Sequence, residues 1–97
     1  KKEAKAARRT VNLNLRQVSA SLDLRGLDGE EAAYRTDQYL DEAALANLKE
    51  VTIIHGVGTG VLKTRINQLL KKHPHVKTSR PGAYGEGGAG VTMVEIK

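Results

Sequence analysis

Between Ser21 and Arg25 polar and apolar residues alternate, with Leu22 and Leu24 on one side and Asp23 and Arg25 on the other, until Gly26 closes the run. That is the period of a half-buried strand. Val11, Leu13 and Leu15 alternate in the same way with Asn12, Asn14 and Arg16, which predicts a short extra strand or a docked arm ahead of it. Asp28, with Glu31 three residues on, reads as a helix start with a carboxylate cap and an acidic first turn. A helix is predicted from there to about Leu48, with Ala33, Leu40, Ala44 and Leu48 near one face, a thin stripe. Val51 to His55 is a continuous β-branched run ended by glycines, the pattern of a strand buried on both sides. Leu62, Ile66, Leu69 and Leu70 fall at i, i+4, i+7 and i+8, an amphipathic helix whose opposite face carries Lys63, Asn67 and Lys71. It should end near His73, since Pro74 follows. Val76 to Arg80 predicts a third strand, Pro81 to Gly90 a mobile glycine-rich loop, and Val91 to Ile96 a final strand.

The order β-α-β-α-β-β predicts an α/β fold, a two-layer sandwich with a mixed four-stranded sheet. Helical connections imply right-handed parallel crossovers, and the loop before the last strand permits an antiparallel return. With so few residues, both helices are expected on one face. The order of the strands is not fixed by the pattern.

A chain of 97 residues without cysteine allows one domain and removes disulfides, thiol nucleophiles and Cys-type zinc sites together. With no Trp or Phe, the core must be Leu, Val, Ile and Ala, and an aromatic-lined ligand cavity is not expected. No stretch reaches the roughly 18 apolar residues of a membrane helix, and Lys1 to Thr10 lacks a secretory core, so the expectation is a cytoplasmic protein without membrane contact. A chain beginning at Lys1 reads as a piece of something longer.

Charge sharpens this picture. Residues 1–20 are read as a basic, partly disordered arm or linker, and residues 21–97 as the domain. Residues 22–50 hold three cations and eight anions, whereas residues 51–97 hold seven cations and two anions. A phosphate-rich partner is therefore expected at the second half and the arm, although Lys and Arg also serve simply to solvate a helix face.

Candidate chemistry gathers at the ends of the predicted strands, which a parallel βαβ arrangement brings to one crevice. Gly56, Gly58 and Gly60 lie between a strand and a helix N-terminus, where backbone N–H groups favour a phosphate. They equally suit a tight turn. The string is neither a P-loop nor GxGxxG, since Val61 stands where the third glycine would be, and no acid follows at the ribose-binding distance. His55 at the end of its strand is a candidate proton-transfer group, or a packed core histidine. Asp23 and Arg25 share a strand face. The carboxylate could act as a base or hold a metal and the guanidinium could grip phosphate, or the two form a solvent-facing ion pair. Lys63, Arg65 and Arg80 add to a basic surface, and Tyr84 offers one stacking ring. His73-Pro74-His75 lacks a third metal ligand and reads as a loop.

The segments LDLRG (Leu22 to Gly26), IIHGVGTG (Ile53 to Gly60) and GGAGVT (Gly87 to Thr92), in this order, resemble the Smr, or small MutS-related, domain over residues 21–97. The resemblance implies a sandwich similar to the C-terminal domain of a bacterial translation initiation factor, nucleic-acid binding and, in several members, nicking endonuclease activity. Many members carry LDLHG where this chain has Arg25. The arginine form resembles the domain at the C-terminus of the second class of bacterial MutS-like ATPases, linked to suppression of recombination and to stalled ribosomes.

On that footing Asp23, Arg25 and His55 are the expected catalytic residues, and Arg25, Gly56, Gly58, Gly60, Lys63, Arg65 and Arg80 the expected nucleic-acid contacts. Asp23 is the candidate ligand for Mg2+ or Mn2+, with Asp28 and Glu86 as further candidates, and with so few carboxylates near the site one metal or none is expected. The expected partners are branched or duplex DNA, RNA or the ribosome, and the ATPase domains of a parent. The leading expectation is a nicking endonuclease of low sequence specificity. The alternative is a DNA-, RNA- or ribosome-binding module without chemistry of its own.

Overall fold

The computed structural model describes residues 18–97, so the basic arm and the strand expected over Val11 to Leu15 lie outside the described residues. Four strands and two α-helices follow in the expected order: β1 (Ser21–Asp23), α1 (Gly29–Leu45), β2 (Glu50–Ile54), α2 (Val61–Lys72), β3 (Val76–Pro81) and β4 (Val91–Ile96), with a 3-10 turn at Gly88–Gly90 before the last.

The sheet order is β1-β2-β4-β3. β1 and β2 are parallel, while β4 runs antiparallel to both β2 and β3. β4 thus enters between β2 and β3, the two strands joined by the second crossover. Because β1, β2 and β3 all run the same way, their carboxyl ends share one edge of the sheet. The segments after Asp23, after Ile54 and after Pro81 therefore emerge side by side, and these are the three motif segments.

Asp28 starts α1 as its cap, accepting from the Glu31 N–H at 2.8 Å, with Glu30 and Glu31 in the first turn. The helix stops at Leu45 rather than Leu48. Asn47 adopts a left-handed conformation (φ 63°), its N–H returns to Ala44 O, and the Leu48 N–H returns to Ala43 O, which closes the end as a Schellman motif. The inward stripe is fuller than the sequence suggested: Ala32, Ala33, Thr36, Tyr39, Leu40 and Ala43 are buried. Thr36 passes as a core residue because its hydroxyl donates to Ala32 O at 2.7 Å. Tyr39, buried, donates its hydroxyl to Ser19 O, and burial pushes its pKa up to about 12.

The expectation that β2 is buried on both sides is corrected. Val51 and Ile53 are buried, but Thr52 and Ile54 are only half-buried. Both helices lie on one face, where Ala32, Leu40, Ile66 and Leu70 pack with Leu24, Val51, Ile53, Val76, Val94 and Ile96. The register puts Asp23, Ile54 and Val91 in one row of the other face. Val91 is covered there by the segment after β3, where Gly82 and Gly87 approach it too closely to carry side chains. That segment was read as mobile from its glycines. It is organised around Glu86, which takes a forked pair of bonds from Arg80 (2.8 and 2.9 Å) and one from the Ala83 N–H (2.8 Å).

Candidate functional site

The first two motif segments meet at Gly56. Its φ of +78° suits only glycine without strain, and a Cβ placed there would lie 3.3 Å from Arg25 Cγ. The third joins through Gly90, whose carbonyl accepts from the N–H groups of both His55 (3.0 Å) and Gly56 (2.9 Å). The stem of Arg25, the Gly56 backbone and the Gly90 backbone thus form a three-layered stack at the sheet edge.

Beside this stack opens a crevice of about 540 Å3, lined by the run from Arg25 to Gly29, with the Asp28 carboxylate that caps α1, by His55 and by the whole run from Gly56 to Lys63. Its far wall is the start of α2. Gly60 caps that helix without a side-chain bond, and the first turn carries no acid. At α1, by contrast, Asp28 and two glutamates satisfy or neutralise the N-terminus. The free N–H groups and positive dipole end of α2 therefore face the crevice, a setting that favours an anion.

Arg25 stands at the mouth. Its Nε donates to Asp23 Oδ1 (3.0 Å) and its Nη2 to Asp23 Oδ2 (2.7 Å), and its backbone N–H donates to Asp23 Oδ1 as well (3.0 Å). The Arg25 bonds hold the Asp23 carboxyl down at about 2, and the carboxylate in turn raises the pKa of Arg25. A guanidinium has five N–H groups. This arrangement uses one edge and leaves Nη1 and the outer side of Nη2 unspent.

His55 lies at the floor, 4% exposed. Nδ1 is 2.9 Å from Gly56 O and Nε2 is 2.9 Å from Thr92 Oγ1. A carbonyl can only accept, so Nδ1 carries the proton and Nε2 accepts a hydrogen bond from the Thr92 hydroxyl. Thr92 Oγ1 also lies 3.4 Å from Asn67 Oδ1. Both ring nitrogens are thus engaged by protein partners. Thr92 and Asn67 are the residues that sequence reading missed as partners. Thr92 ends the third motif, and Asn67 sits one turn beyond Lys63 on α2, so spacing alone placed both nearby.

Of the expected site residues, the crevice gathers Arg25, His55, Gly56, Gly58, Gly60 and Lys63, with Asp23 attached through Arg25. Arg65 is elsewhere, on the surface between the helices, where its stem approaches Gly29. Arg80 is also outside the crevice, bound to Glu86, whose carboxyl it holds down at about 2. The donor set does not fit a divalent cation as it stands. Asp23 has both oxygens on Arg25, Asp28 is spent on its cap and Glu86 on Arg80. Among the described residues no group of three His, Asp or Glu converges for a metal, His73 and His75 included. His73 is instead a buried cap at the end of α2, with Nε2 3.1 Å from Asp37.

A one-sided α/β sandwich whose co-directional strands bring a carboxylate-held arginine beside an uncapped helix N-terminus defines a small α/β domain with an anion-favouring crevice. Residues 22–97 match the Smr domain, and the chain belongs to that family. It is 63% identical over its whole length to "Endonuclease MutS2" of Clostridium beijerinckii and 60% identical to that of Clostridium perfringens strain SM101. It spans 12% of the length of these curated relatives. Among solved structures, the Smr domain of Thermus thermophilus MutS2 superposes with a TM-score of 0.78 at 39% identity, covering 79% of this chain and 96% of that one. YdaL, a stand-alone small MutS-related protein from Escherichia coli, gives 0.77 at 24% identity over 84% of this chain and 66% of its own, which shows a shared fold. The family and fold expected from the three motifs hold. No helix among the described residues is long and apolar enough to cross a membrane.

Proposed function

We propose that this domain binds the phosphate backbone of DNA at the crevice and nicks it with little sequence specificity, as the C-terminal part of a cytoplasmic MutS-like protein that limits recombination. The observation that carries this reading is the pairing, across one crevice, of an arginine edge with unspent N–H groups and an uncapped helix N-terminus. Both favour the same ligand, a phosphate, and neither reads a base. Relatives named as endonucleases support the choice of reaction.

In this reading the free edge of Arg25 and the N–H groups from Gly58 to Lys63 hold the scissile phosphate and the charge that develops on it. Asp23 keeps the guanidinium turned toward the crevice and, ionised, would take the proton of an attacking water as its oxygen bonds to phosphorus, while the P–O bond to the departing strand end breaks and that oxygen takes a proton from solvent. His55 fixes the wall of the cradle through Gly56 and Thr92. It transfers a proton itself only when one of those two bonds opens. No step is routed through a metal, and Mg2+ or Mn2+ enters as an arm of the test.

A second reading is favoured by a specific observation: Asp23 and both nitrogens of His55 are already committed to protein partners. In it the crevice is a docking site, without chemistry, that positions a larger ATPase on DNA, RNA or a stalled ribosome. Supercoiled plasmid and structured RNA, each with EDTA, Mg2+ or Mn2+, separate the two. Nicking lost in folded Asp23→Ala and Arg25→Ala variants supports hydrolysis. Binding without cleavage in every lane supports docking.

A further inference from the structure

A second recess lies on the other side of the His55 wall. It encloses about 230 Å3 between α2 and β3 and is lined by Lys63, Asn67, Lys71, Ser79, Arg80 and Thr92. Lys63, Asn67 and Lys71 are spaced i, i+4 and i+8, so one stripe of α2 presents ammonium, amide and ammonium in succession. Ser79 and Thr92 add hydroxyls from β3 and β4. No carboxylate lines the recess. Glu86 and, at 4.0 Å, Glu50 engage Arg80 from outside it.

Two features tie this recess to the crevice. Lys63 lines both. The wall between them is one polar chain, with His55 on the crevice side bonded at 2.9 Å to Thr92, and Thr92 in contact with Asn67 on the recess side. A strand whose phosphate rests in the crevice would pass Lys63 and reach the recess next.

We infer that this recess is a second phosphate subsite, which holds a diester of the same DNA strand flanking the one in the crevice and is linked to His55 through Thr92. The inference rests on the nucleic-acid reading above. It adds Lys71, Ser79 and Asn67 as strand contacts, and it makes Thr92 a positioning residue shared by the two subsites. The stripe offers charge and simple donors without an aromatic surface, so it grips backbone and not base.

The test uses the 97-residue chain. A 12-nucleotide single-stranded DNA is titrated by fluorescence anisotropy at several salt concentrations against Lys71→Ala, Ser79→Ala and Lys71→Arg. Inorganic phosphate is titrated separately by NMR. Lys71→Ala should weaken binding several-fold and reduce the salt slope by about 0.7, the loss of one single-strand phosphate contact. Lys71→Arg should retain both. Phosphate should shift the amides of Asn67, Lys71, Ser79 and Thr92 and move the His55 ring signals.

If these effects appear in a domain that never cuts, the subsite stands and the hydrolytic reading falls. If the domain nicks plasmid normally but Lys71→Ala and Ser79→Ala bind with the original affinity and slope, and phosphate shifts only crevice amides, the subsite is overturned and the hydrolytic reading stands. Tighter binding of poly-glutamate than of the oligonucleotide at matched salt would also overturn it, by assigning the recess to an acidic protein partner. Lys71 and Ser79 are exposed and lie on different elements, and unchanged urea midpoints confirm that both variants are folded.

Discussion

Arg25 rests on Gly56: the position a side chain would take at residue 56 lies 3.3 Å from Arg25 Cγ, while the guanidinium beyond is forked onto Asp23. The arginine is therefore aimed by two constraints, a flat backbone beneath its stem and a carboxylate beside its head. A glycine in the second motif and an aspartate in the first cooperate on one side chain.

Gly56→Ala should consequently do double damage. The left-handed conformation costs an L-residue about 1–2 kcal/mol, and the added methyl presses on the Arg25 stem. Urea denaturation should show that loss, and DNA binding at matched salt should weaken even where the variant is fully folded.

Arg25→Lys keeps the charge and loses the fork. Charge-assisted hydrogen bonds contribute about 1.5–3 kcal/mol, so affinity for DNA should fall by about tenfold or more if the free edge of Arg25 holds phosphate. Retention of full affinity by the lysine variant in anisotropy titrations would mean that only charge, and no bidentate geometry, is used at this position.

The Asp23 carboxyl should titrate near 2 by carbon NMR and return toward the usual value near 3.9 in Arg25→Ala. The sign follows from the depression: the pair's contribution is fully present above the unfolded value near 3.9 and is lost as pH falls through about 2. Acidification from pH 7 to 5 should therefore leave the Arg25 orientation unchanged, which amide and Nε chemical shifts would report.

Thr92→Val removes the donor to His55 Nε2 and leaves that buried atom without a partner. A loss of about 1–3 kcal/mol in urea unfolding is expected. In the native protein, long-range nitrogen–proton spectra should show the Nδ1–H tautomer of His55. The Nε2–H form would contradict the bond to Gly56 O.

Glu86→Gln should act in the opposite direction. Arg80 is drawn off by Glu86, so neutralising that carboxylate should raise DNA affinity a few-fold and steepen its salt dependence, while the exposed pair contributes little to stability. Unchanged binding would show that Arg80 does not reach the strand.

Much of this was readable in the chain. Helix α2 fell where its i, i+4 stripe and Pro74 placed it, because that spacing admits one element, and β4 fell on the run from Val91 to Ile96 after the glycine-rich loop. The end of α1 was misjudged at Leu48, since the Asn47 turn is set by backbone geometry that hydrophobic spacing does not encode. β2 looked buried on both sides because Thr52 and Ile54 are β-branched, yet they face the row of Asp23 and Val91 without a helix above. Residue types located the crevice at Arg25, His55 and the glycines. The commitment of His55 to Thr92 depends on β4 pairing with β2, a strand order that pattern left open, and the local contacts of His55 with Gly56 O and of Arg80 with Glu86 depend on loop geometry that residue types do not encode.

That strand order also governs how the domain comes into being. β4 is the last strand of the chain and pairs with both β2 and β3, so it is an interior member of the sheet. During synthesis, β1, β2 and β3 emerge first with no way to join into one sheet, and the apolar side of β2 stays uncovered along one margin. Completion waits for Val91 to Ile96 to slot between them. Gly90, whose carbonyl braces Gly56, immediately precedes these six residues, so a nascent chain stalled before Val91 carries the first two motifs without the strand that joins them to the third.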